Sequence, residues 1–491
     1  MSLRPIACLI VSSLIAAGCA TSLDINVSTD AAGAAATPEP SRELAGDDPA
    51  DDPVPTPTGT PEPTRTPVPA PTPTPVPELG YQEAIDLYFA DVERFWEREA
   101  GRLGIAAFAP VSDRIPYDPE EPGSVPTCGG ELGPVGIYVG NAFYCTPDDY
   151  IAWDDVGLFP SLYDDYGDFT VGLVIAHEYA HAVQARAGLD GPTIFVELQA
   201  DCLAGSWAGA VAAAGRADLG FDPTDLDNAI GGFLTFADPL GTPAGDPSAH
   251  GTAFDRLNAF ADGFEAGVEA CPRFLTDPPR TASLGVDLGD ENEGNLPLAD
   301  LLPILVADLT NYLGIVGTEL LGPDYTPPVG LIEFGSGVGD PADCGGLSVD
   351  AEELPGSAYY CEVTAAVAID RAELEEVWAE VGDFAPAYAV AHAYATSVAS
   401  PLGATAADVV LVADCLVGVW ARDVFEATAT PPPPRVHSIF LSAGDLDEGI
   451  VGLLMIPAVG VSLAPTGEVA VFDRVSAFAD GFFSGTGSCA R

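Results

Sequence analysis

The stretch Ala176-His177-Glu178-Tyr179-Ala180-His181-Ala182-Val183-Gln184 decides how this chain is read. Thr170 to Ala187 reads as a helix that Gly188 stops. On a helix His177 and His181 leave the same face one turn apart. Two imidazoles so placed can bring their ring nitrogens to one zinc ion at about 2.0–2.1 Å. Glu178 stands beside the first histidine, where a carboxylate can take the proton of an activated water and pass it to a leaving amine. The plainer reading is a pair of helical histidines used for packing or a salt bridge. Histidine occurs only five times in 491 residues, which makes a chance pattern rare.

A second helix, Thr193 to Ala214, begins after Gly191-Pro192. It carries Glu197 and, one turn on, Asp201. Glu197 completes a two-histidine, one-carboxylate set that leaves a fourth position open. Asp201 can accept the free N–H of a ligating histidine and fix the ring. Elsewhere, Glu83 to Arg102 has helical periodicity, Val135 to Val139 reads as a strand, and Asn141 to Tyr144 as the start of another. The expected class is α+β, with two consecutive helices at the centre.

These residues, with Glu197-Leu198-Gln199-Ala200-Asp201-Cys202-Leu203-Ala204-Gly205 and Ser248-Ala249-His250-Gly251-Thr252 followed by Arg256, resemble the neutral zinc metallopeptidase family. The resemblance implies a zincin-like fold and a Zn2+ ion held by His177, His181 and Glu197. It also implies Glu178 as catalytic base and a peptide or protein substrate. Ala180 and Ala182 depart from the family's common glycine and histidine, which predicts an altered pocket rather than lost chemistry. For His250 two readings stand side by side: a catalytic donor to the oxyanion of the tetrahedral intermediate, or a surface-loop histidine.

Much of the pattern occurs twice. Cys128-Gly129-Gly130, Tyr144-Cys145, Ala200-Asp201-Cys202-Leu203, Trp207 and Phe254-Asp255-Arg256 return as Cys344-Gly345-Gly346, Tyr360-Cys361, Ala413-Asp414-Cys415-Leu416, Trp420 and Phe472-Asp473-Arg474. We expect a tandem duplication: a metallopeptidase domain over 81–275, a linker over 276–299, and a degenerate, non-catalytic copy over 300–491. His392 matches His177, but Ala393, Thr396, Val410 and Glu468 stand where Glu178, His181, Glu197 and His250 stand in the first copy. Asp414 persists without a ligand set to serve, so Asp201 is expected to be partly structural. Symmetry between the copies implies the disulfides Cys128–Cys145, Cys202–Cys271, Cys344–Cys361 and Cys415–Cys489.

The N-terminus reads as a lipoprotein-type signal peptide over 1–18, with Cys19 lipidated, followed by a Pro/Thr-rich disordered linker over 19–80. A plain signal peptide releasing a secreted protein is the alternative. With 74 acidic against 17 basic residues, all arginine, the net charge is -57. That charge excludes nucleic acid as a partner and limits membrane contact to the lipid anchor. No other stretch is read as membrane-crossing. The pairs Asp148-Asp149, Asp154-Asp155 and Asp164-Asp165 lack the spacing of a calcium loop. The expected protein is an extracytoplasmic zinc metallopeptidase; its rival is a non-catalytic surface lipoprotein whose two domains bind or support. Oligomeric state and cleavage preference are not encoded in any motif.

Overall fold

The computed structural model describes residues 79–489 except 122, 217–218, 220, 222, 240–241, 244, 247–248, 280, 283, 285–293, 335–357, 404, 430–436 and 456–468. The signal segment, Cys19, the Pro/Thr-rich stretch up to residue 78, Ser248, Cys344, Glu468 and residues 280, 283 and 285–293 of the expected joint lie outside the described residues.

Two successive sets of elements make a mixed α and β structure. The first set holds α1 (Tyr81–Glu99), β1 (Asp113–Tyr117), β2 (Ala142–Cys145), β3 (Tyr150–Asp154), α2 (Leu158–Tyr166), α3 (Asp168–Ala187), α4 (Thr193–Ala214), α5 (Pro223–Thr235), α6 (Ala253–Ala266) and α7 (Arg273–Thr276). The second holds α8 (Leu298–Leu321), β4 (Leu331–Phe334), β5 (Ala358–Cys361), β6 (Ala366–Asp370), α9 (Arg371–Glu380), α10 (Phe384–Ala399), α11 (Ala406–Ala429), α12 (Asp445–Met455) and α13 (Val471–Ser484). The sheets are ordered β1-β3-β2 and β4-β6-β5. In each, the central strand has a parallel neighbour on one side and an antiparallel one on the other.

Helix α3 is buried along nearly its whole length, as a central helix must be when other elements cover it on every side. It stops at Gly188, whose φ of 66° suits a left-handed cap. The ring of Tyr88 lies over Gly172, where a Cβ would come within 2.8 Å of it. Trp207 Nε1 donates to Asp91 at 3.0 Å and ties α4 to α1. Trp420 and Asp308 make the same tie between α11 and α8 at 2.9 Å.

Helices α4 and α6 cross with their backbones in contact. A Cβ on Gly263 would sit 1.7 Å from the Cys202 carbonyl oxygen, and one on Gly205 would sit 2.0 Å from that of Phe260. Gly481 and Gly418 play the same parts where α11 meets α13. Disulfides Cys202–Cys271 and Cys415–Cys489 lie beside these crossings, and Cys128–Cys145 closes the loop before β2. Cys361 is disulfide-bonded; its expected partner Cys344 lies outside the described residues.

Two sequence expectations change. Val135 to Val139 is not a strand: Val135–Ile137 forms a 3-10 turn, with Val135, Ile137 and Val139 exposed and Tyr138 buried. Gly133-Pro134 and Gly140 break the segment at both ends, and the Tyr138 hydroxyl accepts the Gly133 N–H inside the turn. The expectation that nothing beyond the signal could cross a membrane also fails on length and composition. Helix α8 is long and apolar enough to do so, with half of its apolar window buried inside the fold.

Candidate metal centre

The helical period sets the geometry of the site. His177 and His181 project from α3 toward α4, which supplies Glu197 and Asp201. His177 Nε2 lies 3.2 Å from Glu197 Oε2 and 3.2 Å from His181 Nε2, and His181 Nε2 lies 3.3 Å from Glu197 Oε2. A tetrahedral ion with bonds of about 2.0–2.1 Å has ligand–ligand edges of about 3.3–3.4 Å. The triangle has nearly that size, so the donor set fits zinc.

Hydrogen bonds behind the rings fix which nitrogen faces the centre. His177 Nδ1 donates to Asp201 Oδ1 at 2.8 Å. Gln184 Nε2 donates to the Val196 carbonyl at 2.8 Å and to Gln199 Oε1 at 3.1 Å. Its Oε1 is thereby turned to His181 Nδ1, 2.8 Å away. Gln199 in turn donates to the Cys271 carbonyl at 3.1 Å. Each Nδ1 thus has an acceptor behind it, which turns both Nε2 atoms toward one point. Sequence reasoning missed Gln184 and Gln199. The available signal was the i,i+3 placement of Gln184 after His181 on α3.

Asp201 is fully buried and carries a second bond pair. Arg256, on α6, donates to it through Nε and Nη2, both at 2.9 Å, and through Nη1 to the Phe236 carbonyl at 2.9 Å. Burial raises the pKa of Asp201, but Arg256 and then His177 outweigh it and bring it below the ordinary value. Glu197 behaves likewise: burial raises it, and His181 and His177 drive it well below the usual carboxylate range. Burial disfavours the charged form of His177, yet Asp201 and Glu197 carry it up to about 10. The centre holds more negative charge than Arg256 balances, as a site for a divalent cation should.

Glu178 is buried and lines the same cleft. Burial lifts its pKa, His177 and His181 pull it back, and the Tyr144 backbone N–H, which its carboxylate accepts, lowers it further; the net shift is upward. The cleft has a volume of about 640 Å³ and runs along Asn141 to Tyr144, past Glu178, to Arg256 and His250. His250 stands there half-exposed, its backbone N–H on Asp238 Oδ2 at 2.8 Å and its Nδ1 3.3 Å from Asp238 Oδ1.

Two of the three aspartate pairs are engaged by protein groups. Asp149 accepts from Arg186, Asp154 from the backbone of Gly140, Val156 and Gly157, and Asp155 from Tyr81 and Trp153. In the second set of elements His392 Nε2 lies 3.2 Å from Asp414 Oδ1 without hydrogen-bonding geometry. Arg474 grips Asp414 at 3.0 and 3.3 Å, as Arg256 grips Asp201. Thr396 turns its hydroxyl to the His392 carbonyl at 2.8 Å. No ligand triangle forms among these residues.

Residues 187–274 match the family described as "Putative neutral zinc metallopeptidase". The matched segment contains Glu197, Asp201, His250 and Arg256 and begins after His181. The chain is 30% identical over 150 residues to the uncharacterized protein YpfJ of Escherichia coli strain K12, covering 26% of this chain and 50% of that one. It is 30% identical over 166 residues to the uncharacterized protein Rv2575 of Mycobacterium tuberculosis strain H37Rv, covering 28% of this chain and 56% of that one. The chain thus spans about half the length of the curated relatives it matches. No solved structure is a significant match.

Proposed function

We propose that the chain is an extracytoplasmic zinc metallopeptidase with a zincin-like catalytic domain, followed by a degenerate copy of that domain. His177, His181 and Glu197 would hold the ion, and Glu178 would act as base. The ligand-atom triangle with edges of 3.2–3.3 Å carries this reading. An ion bound there supplies Lewis acidity and lowers the pKa of water at its open position.

The chain's own groups supply the rest. Glu178, buried and with its proton affinity raised, takes a proton from the attacking water as the oxygen joins the scissile carbonyl carbon. It returns that proton to the amine nitrogen as the C–N bond breaks. Among the described residues strand β2 pairs with β3 on one side only, and its residues wall the cleft. An extended peptide can lie along that edge as an added strand. His250, which lines the cleft, would be a donor to the developing oxyanion; the alternative is a surface-loop histidine held by Asp238.

The matching order and pairing of the two sheets support the tandem duplication. The signal peptide, lipidated Cys19 and extracytoplasmic location rest on the sequence of residues 1–80. The test is metal analysis with peptide hydrolysis on the purified full chain. About one zinc per chain, together with cleavage that chelation abolishes, is the expected result. Zinc without hydrolysis across a broad peptide library would favour the non-catalytic surface protein instead.

A further inference from the structure

The two sets of elements meet through a reciprocal exchange. Asp447, on α12, accepts the first N–H groups of α6: Phe254 N at 2.9 Å and Ala253 N at 3.3 Å. Asp227, on α5, accepts Phe472 N, near the start of α13, at 3.0 Å. The rings follow the same exchange. Phe254 packs on Phe478 and Phe482 at 5.5 and 5.0 Å, and Phe472 packs on Phe260 and Phe264 at 5.9 and 4.8 Å.

The two caps differ in what lies behind them. The start of α6 carries Arg256, which holds Asp201, which orients His177. The start of α13 carries Arg474, which holds Asp414, and among the described residues no counterpart of the His177, His181 and Glu197 set stands beyond it. A carboxylate on the first N–H groups of a helix fixes their position and favours the dipole. Thr252 caps the same turn by accepting Asp255 N at 3.1 Å, so Asp447 supplies the acceptor for the two N–H groups that Thr252 does not reach.

We infer that Asp447, in the half whose described residues hold no counterpart of the His177, His181 and Glu197 triangle, is a positioning residue for the metal centre of the other half. The route runs from Asp447 through the first turn of α6 to Arg256, Asp201 and His177. The second half is then a built-in partner that holds one ligand in register. This inference rests on the reading that His177, His181 and Glu197 bind zinc.

Zinc affinity of the full-length chain, titrated against a competing chromophoric chelator, tests it with an internal control. Asp447→Ala should weaken zinc binding about tenfold, the lower end of what losing a supporting partner costs a metal site. Asp227→Ala removes the mirror-image cap and should lower thermal stability comparably, with less than a twofold change in affinity. Equal losses of affinity in both variants, or none in Asp447→Ala, would overturn the inference while leaving the zinc reading intact. A wild-type chain that takes up no zinc would overturn both. Should the alanine variant not fold, Asp447→Asn carries the same test, with a smaller loss expected and an unchanged affinity counting against the proposal.

Discussion

His177 Nδ1 and Asp201 Oδ1 are joined by a 2.8 Å hydrogen bond, and the carboxylate that accepts it is held from behind by Arg256. One buried side chain therefore orients the His177 ring and pairs with the Arg256 guanidinium. Asp414 keeps only the second of these tasks, through Arg474. Asp201→Asn should separate the two. The amide can present its N–H to His177, and the zinc affinity of the full chain should fall about 10- to 100-fold. A change within twofold would make Asp201 purely structural.

Glu178 has no place in the ligand triangle, so its replacement should leave metal binding alone. Glu178→Gln is expected to keep about one zinc per chain and to lose about 10²- to 10⁴-fold in kcat. Metal content and kcat measured on the same preparation check both halves of this statement. Full activity would remove Glu178 from the chemistry.

His250 is tied to Asp238 at the cleft. If it stabilises the oxyanion, His250→Ala lowers kcat about 10²-fold with zinc content unchanged, in keeping with the loss of one such donor. Steady-state kinetics on a single peptide decide this, and a change of less than threefold assigns the residue to its loop.

Removing the ion should loosen the fold as well as silence it, because three charged or polar side chains converge there. With free zinc about a hundred times its Kd, the bound form gains about 2.7 kcal/mol. Thermal unfolding with and without chelator should show that difference in wild type. In His181→Ala the chelator should have no effect.

Asp383, Asp445 and Glu448 bring carboxylate oxygens within 4.8 Å of one another. Burial first, with repulsion from neighbouring carboxylates at Asp445 and Glu448, raises them to about 6, 7 and 8 respectively. For acids so raised, the stabilising contribution is complete below the unfolded-state value of about 3.9–4.3. It is lost as pH rises through the folded-state values. Tm should therefore fall between pH 5 and pH 8.5. Asp445→Asn should raise Tm by about 2–4 °C at the upper end and change little at pH 5. A variant no more stable than wild type at pH 8.5 would contradict this.

The convergence of His177, His181 and Glu197 was legible because helix periodicity alone places the two histidines on one face, and the next helix offers few carboxylates. The limits of α4 were equally legible, with Gly191-Pro192 before it and Gly215 after it. Val135 to Val139 misled because its alternating apolar residues mimic a strand, while Gly133-Pro134 sets a turn that leaves them exposed. Gln184 stayed silent because an amide on a helix has no assigned partner until the Val196 carbonyl is brought beside it. The Asp447 contact joins residues 194 apart, and no local pattern encodes such a meeting.

The phenylalanines exchanged between α6 and α13 have a practical consequence. A cut in the chain between Thr276 and Pro297 should leave the two fragments together, since each would keep its side of the aromatic exchange. The nicked molecule should travel as one species on gel filtration. Either fragment made alone would show Phe254, Phe260 and Phe264, or Phe472, Phe478 and Phe482, to water, and should precipitate or pair with itself.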